Sequence, residues 1–277
     1  MRIDLHVHTN ASDGLFAPAE VVRKAREAGL SALGIADHDT VNGVEEALQA
    51  AGEERIEVVP AVEINAYHGA FEYHILGYFL DHRDERLGRA LAELREARIV
   101  RMRRIVEKLG ALGMEVDPEE IFAAAGGGSV GRPHIARVML QRRYVSSMRE
   151  AFDRFIGEGK PAYAPRSKLA PGEAIALIRE ASGVAVLAHP GLWGGDELIP
   201  QLAAWGIAGI EVYTPDHTGA QRERYRGFAR DLGLIQTGGS DYHGWKDNSG
   251  NTLGAAATPP GEFRRLAELA GAARVWP

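Results

Sequence analysis

The 277-residue chain has no cysteine, which removes disulfides, thiolate metal sites and a thiol nucleophile together. No apolar run approaches the ~20 residues that span a bilayer, so no membrane partner is expected. Met1-Arg2-Ile3-Asp4-Leu5-His6 passes straight into strand-like alternation. It has neither the basic start nor the apolar run of roughly 7–15 residues that marks a secretory signal. With the missing cysteines, that fits a cytoplasmic setting. Hydrophobic residues at 45% and charged residues at 25% exclude a disordered chain, and the length can bury a full core.

Positive charge is also in short supply. A formal net charge of −6 argues against stable binding to duplex nucleic acid, which needs a basic face. That average conceals a split. From Asp81 to Lys168 there are 18 Lys and Arg against 13 Asp and Glu, net +5, while the remainder holds 14 against 25, net −11. An acidic body with a basic segment suits a metal-rich pocket roofed by groups that hold an anionic substrate; it equally suits an arginine-rich helical insertion with solvated faces.

Short apolar runs alternate with amphipathic patterns. Strands are expected at Ile3–His8, Ala32–Asp37, Glu57–Ile64, Tyr73–Phe79, Val184–His189, Gly209–Tyr213 and Leu234–Gly238. Helices start at Pro18 and Pro171, with Gly29 and Gly183 past their ends. Strands alternating with helices read as βα units around a parallel sheet, and about seven of them suit a barrel better than a small open sheet, while a doubly wound sheet fits the same pattern. Residues 81–168 break the rhythm with a long helical pattern from Leu87 to Leu112, helical stretches at Pro118–Ala125, Pro133–Arg142 and Met148–Phe155, a short Gly126-Gly127-Gly128 turn, and a strand-like Lys160-Pro161-Ala162-Tyr163. This reads as a barrel of residues 1–80 and 169–277, carrying an inserted, mainly helical, substrate-binding subdomain of residues 81–168.

The chemistry begins at His6-Val7-His8. Residues two apart on a strand share a face, so two imidazoles at a strand end can chelate one ion. Asp241-Tyr242-His243 repeats the spacing after the last strand, and Asp37-His38-Asp39 ends the second. Glu63 stands between apolar neighbours in Val62-Glu63-Ile64 and needs a partner. His74 lies in Tyr73-His74-Ile75, and His189 ends Ala185-Val186-Leu187-Ala188-His189. Singly, each could be a satisfied structural residue. Six strands each delivering His, Asp or Glu at the C-terminal end, where barrel active sites lie, make a ligand set for Zn, Mn or Fe.

These pieces, together with Ser12-Asp13-Gly14, Ala188-His189-Pro190 and Gly239-Ser240-Asp241-Tyr242-His243, resemble the PHP (polymerase and histidinol phosphatase) superfamily from the first barrel strand to the last. Arg132-Pro133-His134-Ile135-Ala136-Arg137 and Gly159-Lys160-Pro161-Ala162-Tyr163 resemble its stand-alone members that act on 3′,5′-bisphosphonucleotides and 5′ ends of short RNA or DNA. The resemblance implies a distorted seven-stranded β/α barrel and two to three divalent ions (Mn, Zn or Fe). One ion would take His6, His8, Glu63 and Asp241. A second would share Glu63 and add His74 and His189; a third would take Asp13, His38 and His243. Asp13 stands where some relatives carry histidine.

Two ions roughly 3.5–4 Å apart bring a shared water's pKa down toward ~7, so the expected reaction is hydrolysis of a phosphate monoester by metal-activated water, with Glu63 and Asp241 at its centre. The leaving alcohol needs a proton, which His217 could supply; it could instead bind substrate, or be a plain surface-loop histidine. Arg132 and His134, assisted by Lys160, are candidates for a second phosphate, because guanidinium binds phosphate bidentately. The expected partner is a small phosphorylated substrate, a nucleotide first. The alternatives are histidinol phosphate as substrate, or a non-catalytic PHP module that supports a partner protein.

Overall fold

The computed structural model describes residues 1–69, 71–126, 128–165, 169–192, 194–245 and 251–271. Gly127 of the glycine turn and Lys168 at the expected segment boundary lie outside the described residues. Seven strands form one sheet in chain order: β1 (Ile3–Val7), β2 (Ala32–Ile35), β3 (Glu57–His68), β4 (Phe71–Tyr78), β5 (Val184–Leu187), β6 (Gly209–Tyr213) and β7 (Ile235–Gly238). The sheet curls until its edges meet: Val7 bridges Tyr242 in parallel, and the His8 N–H donates to the Tyr242 carbonyl at 2.9 Å. Every residue of β1, β2 and β5 is buried. That is the signature of strands covered on both faces, by helices outside and by barrel contents inside.

The barrel is borne out, but the expectation that all its strands run parallel is corrected at β4. It pairs antiparallel with both β3 and β5, whereas the other neighbours are parallel. A tight connection beginning at Gly69 (φ +61°) makes β3 and β4 a hairpin, paired from Ala61↔Tyr78 out to His68↔Phe71. This pairing also extends β3 past the expected end at Ile64. Because β4 is reversed, His74 near its start lies at the same barrel end as the C-terminal ends of the parallel strands.

Helices α1 (Pro18–Glu27) and α2 (Val44–Glu54) bury Val21, Val22, Val44 and Ala47 against Leu33 and Ile35 of β2. α1 begins at Pro18 as expected, where a missing N–H costs nothing. Residues 85–156 are helical almost throughout: α3 (Glu85–Ala111), α4 (Pro118–Ala125), α5 (Arg132–Gln141), and α6 (Met148–Ala151) running into a π-helical turn at Phe152–Ile156. They pack around Met102, Ile105, Leu109, Ile121, Ile135 and Met139. The strand-like Lys160–Tyr163 stretch is instead a turn, in which the Ala162 N–H donates to the Phe155 carbonyl and that of Tyr163 to Lys160; Pro161 has no N–H for a ladder. Helices α7 (Pro171–Glu180), α8 (Ile199–Trp205), α9 (Gly219–Leu232) and α10 (Pro260–Leu269) complete the outer layer.

Candidate active site

The pleat of β1 places Asp4, His6 and His8 together, all buried. Asp4 accepts the backbone N–H groups of Ser240 and Gly254, each at 2.8 Å, and so fastens β1 to the loop that carries Asp241 and His243. Burial raises its carboxyl to about 6 even though those bonds oppose the rise. After β2, Asp37 accepts the Thr9 N–H (2.8 Å), the Thr9 hydroxyl (2.7 Å) and the Ser12 hydroxyl (2.5 Å). Those bonds hold the turn that presents Asp13. Asp39 is bonded by Arg98 Nε at 2.6 Å. The acids on either side of His38 are thus occupied, and the imidazole between them faces the barrel mouth.

Glu63 is the hub. Its Oε1 lies 2.7 Å from His74 Nδ1 and 3.0 Å from His189 Nε2. Its Oε2 lies 2.9 Å from His38 Nδ1 and 3.3 Å from both His6 Nε2 and His8 Nε2. Asp241 Oδ1 is 3.0 Å from His8 Nε2 and 3.4 Å from His6 Nε2. Asp13 Oδ1 is 3.3 Å from His243 Nε2 and 3.8 Å from His8 Nδ1, and its Oδ2 is 3.9 Å from His38 Nε2. All nine residues expected as ligands therefore meet in one cluster, which takes histidines from β1, β4 and the loops after β2, β5 and β7.

The donor set fits divalent ions. His6 Nε2, both nitrogens of His8, His38 Nδ1, Asp13 Oδ1, Glu63 Oε2 and Asp241 Oδ1 are buried without a hydrogen-bond partner. Orphaned polar atoms of this kind are costly, and here they gather at one place. Three groups have ligand atoms within 4.8 Å of one another: His8, Asp13, His38 and His243; His6, His8, Glu63 and Asp241; His38, Glu63 and His74. Electrostatics runs the same way. Burial alone would raise Glu63, but His38, His74 and His6 hold it well below the usual carboxylate range. Against their own burial, Glu63 lifts His74 to about 9, and Asp13 and Asp241 lift His243 to about 10. Asp39 (φ +51°) and Asp241 (φ +52°) occupy left-handed backbone, at about 1–3 kcal/mol each, so the packing around the cluster enforces strained positions.

The structure treats the remaining expected residues differently. Arg132 lines a cavity of about 180 Å³ beside the cluster, together with Asp13, His38, His74 and Glu72, and leans on Glu72 at 3.5 Å. His134 is buried and its Nδ1 accepts the Gly131 N–H at 3.0 Å, capping α5. Burial depresses it to about 4, so it does not offer the positive charge expected of a phosphate clamp. Lys160 is exposed on its turn and lines neither cavity at the cluster. His217 has both nitrogens committed: Nδ1 donates to the Val212 carbonyl and Nε2 accepts the Gly191 N–H, each at 3.1 Å. In that arrangement neither nitrogen is free to face a substrate, and the side chain pins the loop after His189. Its neighbour Asp216, which sequence reasoning passed over, lines a second cavity of about 590 Å³ with Asp241, His243 and Trp245. Burial and the nearby Asp241 raise its carboxyl.

Sequence reasoning also missed Glu211. Fully buried, it lies 3.3 Å from His6 Nδ1 and accepts the His189 N–H at 2.9 Å. The alternation Gly-Ile-Glu-Val-Tyr offered only its inward direction as a signal.

Fold and cluster define a metal-dependent hydrolase built on a β/α barrel. The PHP domain model matches residues 4–116. A 5′-3′ exoribonuclease of Haemophilus influenzae is 34% identical over 253 residues, covering 88% of this chain and 92% of that one. A 3′,5′-nucleoside bisphosphate phosphatase of Chromobacterium violaceum is 32% identical, covering 87% of each. A phosphoribosyl 1,2-cyclic phosphate 1,2-diphosphodiesterase of Eggerthella lenta is 30% identical, covering 87% and 94%. A crystal structure from Bifidobacterium adolescentis, described as a metal-dependent phosphoesterase, superposes with a TM-score of 0.90 at 31% identity over 96% of both chains. The chain belongs to the PHP family and is a metal-dependent phosphoesterase. No helix among the described residues is long and apolar enough to cross a membrane.

Proposed function

We propose that this phosphoesterase removes a phosphate from 3′,5′-bisphosphonucleotides or from the 5′ ends of short oligonucleotides, with two or three Mn, Zn or Fe ions at the cluster. The observation that carries the reading is the pairing of a histidine–carboxylate cluster with an arginine-bearing cavity: Arg98, Arg101 and Arg132 share its wall with His38 and His74. Relatives named for bisphosphonucleotides and for exoribonuclease action support it.

His6, His8, Glu63 and Asp241 would hold one ion; Glu63, His74 and His189 a second; Asp13, His38 and His243 a third. Ions held there would supply positive charge for a phosphate and acidify a bound water. The chain's own part is positional. Glu63, through its two oxygens, ties β1, β4 and the loops after β2 and β5 into one unit. Glu211 orients His6 from behind, and His217 holds the Pro190–Leu192 turn under His189. Asp216, facing the larger cavity, is better placed than His217 to give a proton to the leaving oxygen. In this reading residues 81–168 act as the substrate-binding lobe, since their arginines form the cavity wall that the barrel lacks.

The test is kcat/KM for adenosine 3′,5′-bisphosphate against AMP and histidinol phosphate. The reading expects the bisphosphate to lead by more than tenfold; histidinol phosphate as the better substrate would overturn it.

A further inference from the structure

We propose that Trp245, gripped by Arg137 of the helical lobe, is a positioning residue for Asp13, and through it for the ion that Asp13, His38 and His243 would hold. The inference rests on the three-site reading above and adds two residues outside the ligand set to one of those sites.

Trp245 stands two residues beyond the last ligand, His243. Between them the chain turns back at Gly244, in left-handed backbone at φ +80°, where an added Cβ would stand 2.7 Å from the Phe16 ring. Glycine passes such a point without strain. The turn brings the indole to the loop after β1, and its Nε1–H donates to the Asp13 carbonyl at 2.8 Å. In return the Leu15 N–H donates to the His243 carbonyl, also at 2.8 Å. The loops that carry Asp13 and His243 are thus bonded to each other twice. An aspartate has one methylene between its backbone and its carboxylate, so the place of the Asp13 backbone decides where its oxygens reach. They lie 3.3 Å from His243 Nε2 and 3.9 Å from His38 Nε2.

Trp245 is itself held from the lobe. Arg137 of α5 lays its guanidinium over the indole, 3.4 Å from the ring centroid, a close cation–π contact. Among the described residues its other hydrogen bond is a long one, from Nη1 to the Ala124 carbonyl at 3.4 Å, so the ring is its principal partner. On the other flank of the ligand loop the Ser129 N–H donates to the Ala11 carbonyl at 2.9 Å, and Gly128 packs so closely on Asn10 that no Cβ fits between them. The lobe therefore closes on the Asp13 loop from two sides, at Ala11 directly and at Asp13 through Trp245. A competing role exists. Trp245 and Arg137 also line the cavity of about 590 Å³, where an aromatic ring could stack on a substrate's base. The indole N–H, however, is committed to a ligand's backbone and one ring face to Arg137, an arrangement that fixes a loop before it offers a platform.

The experiment titrates Mn²⁺ into chelator-treated protein against a chromophoric chelator, for the wild type, Asp13→Ala, Trp245→Phe, Arg137→Met and the double variant Asp13→Ala/Trp245→Phe. Asp13→Ala identifies the site by the equivalent of metal it loses. Trp245→Phe keeps a ring beneath Arg137 but has no N–H. It should weaken that same equivalent by about 10–100-fold, the usual effect of losing a partner behind a ligand, and leave the others unchanged. Arg137→Met should weaken it in the same direction by less. In the Asp13→Ala background Trp245→Phe should change nothing further, because its path to the ion runs through Asp13. A loss spread over every equivalent, or one that persists without Asp13, marks a merely structural role and overturns the inference. So does full metal affinity in Trp245→Phe; a raised KM for adenosine 3′,5′-bisphosphate alongside it would make the indole a base-stacking platform. Asp13→Ala with a full complement of metal would instead sink the third site of the functional reading, and the positioning role with it.

Discussion

Glu211 meets His6 Nδ1 at 3.3 Å beneath the metal cluster, both side chains fully buried. A carboxylate there accepts the Nδ1 proton and turns Nε2 toward Glu63 and Asp241, where a neutral imidazole would present its lone pair to an ion. Glu211 Oε2, which like Oε1 lies 3.3 Å from His6 Nδ1, also accepts the His189 N–H at 2.9 Å, so one side chain orients residues from β1 and from the loop after β5. Partners of this kind typically contribute 10–100-fold in metal affinity. Glu211→Gln should weaken metal binding by about that factor, read by competition with a chromophoric chelator. Unchanged affinity would reduce Glu211 to a packing group.

Glu63 and His82 offer a sharp contrast. Glu63 contacts five histidines, whereas His82 pairs with Glu45 outside the cluster at 2.9 Å. Glu63→Gln removes the charge that balances those imidazoles and should cost at least 10²-fold in kcat together with bound metal. His82→Ala should turn over like wild type. Similar turnover in the two variants would overturn the cluster's assignment.

Eight of the nine clustered residues were legible in the sequence because strand periodicity puts alternate side chains on one face and because βα units end at the same rim, whereas Asp13, in the turn after β1, was expected only from the resemblance to the PHP superfamily. What stayed hidden had no local signal. Periodicity carries no direction, so the reversal of β4 could be read only from the short connection at Gly69. Arg101 sat in a helix dense in arginine, and only the tertiary contact with Ala164 separates it from its exposed neighbours. His217 lay in a loop, where nothing announced that Val212 and Gly191 would occupy both its nitrogens.

Metal loading should release protons. The carboxylates raise His74 to about 9 and His243 to about 10, so at pH 7 both imidazoles carry protons in the chelator-treated protein, whereas a ligating imidazole is neutral. Loading at pH 7 should therefore expel about two protons from these histidines, seen by calorimetry in buffers of different ionisation enthalpy. The sign fixes the pH trend: affinity for the ions rises from pH 6 to pH 8 as protons compete less. The loaded protein should hold two to three equivalents by elemental analysis, and EDTA should abolish activity. Loading without proton release, or activity indifferent to EDTA, would contradict the cluster as a metal site.

Asp216 and His217 are adjacent in sequence but face different tasks, and leaving-group chemistry separates them. A ribose oxygen is a poor leaving group that gains from a proton donor, an effect worth typically 10²–10⁴-fold, whereas p-nitrophenolate departs readily without one. If Asp216 gives the proton, Asp216→Asn should depress kcat for adenosine 3′,5′-bisphosphate at least tenfold more than for p-nitrophenyl phosphate. It should also remove the alkaline limb of the pH–kcat profile, since the acid must be protonated to act. His217→Asn breaks the bonds to Val212 and Gly191 and loosens the turn behind His189, so it should lower turnover of both substrates by the same factor and reduce bound metal. Should His217→Asn instead show the leaving-group dependence, with Asp216→Asn affecting both esters alike, the proton would come from the histidine and the proposal for Asp216 would fail.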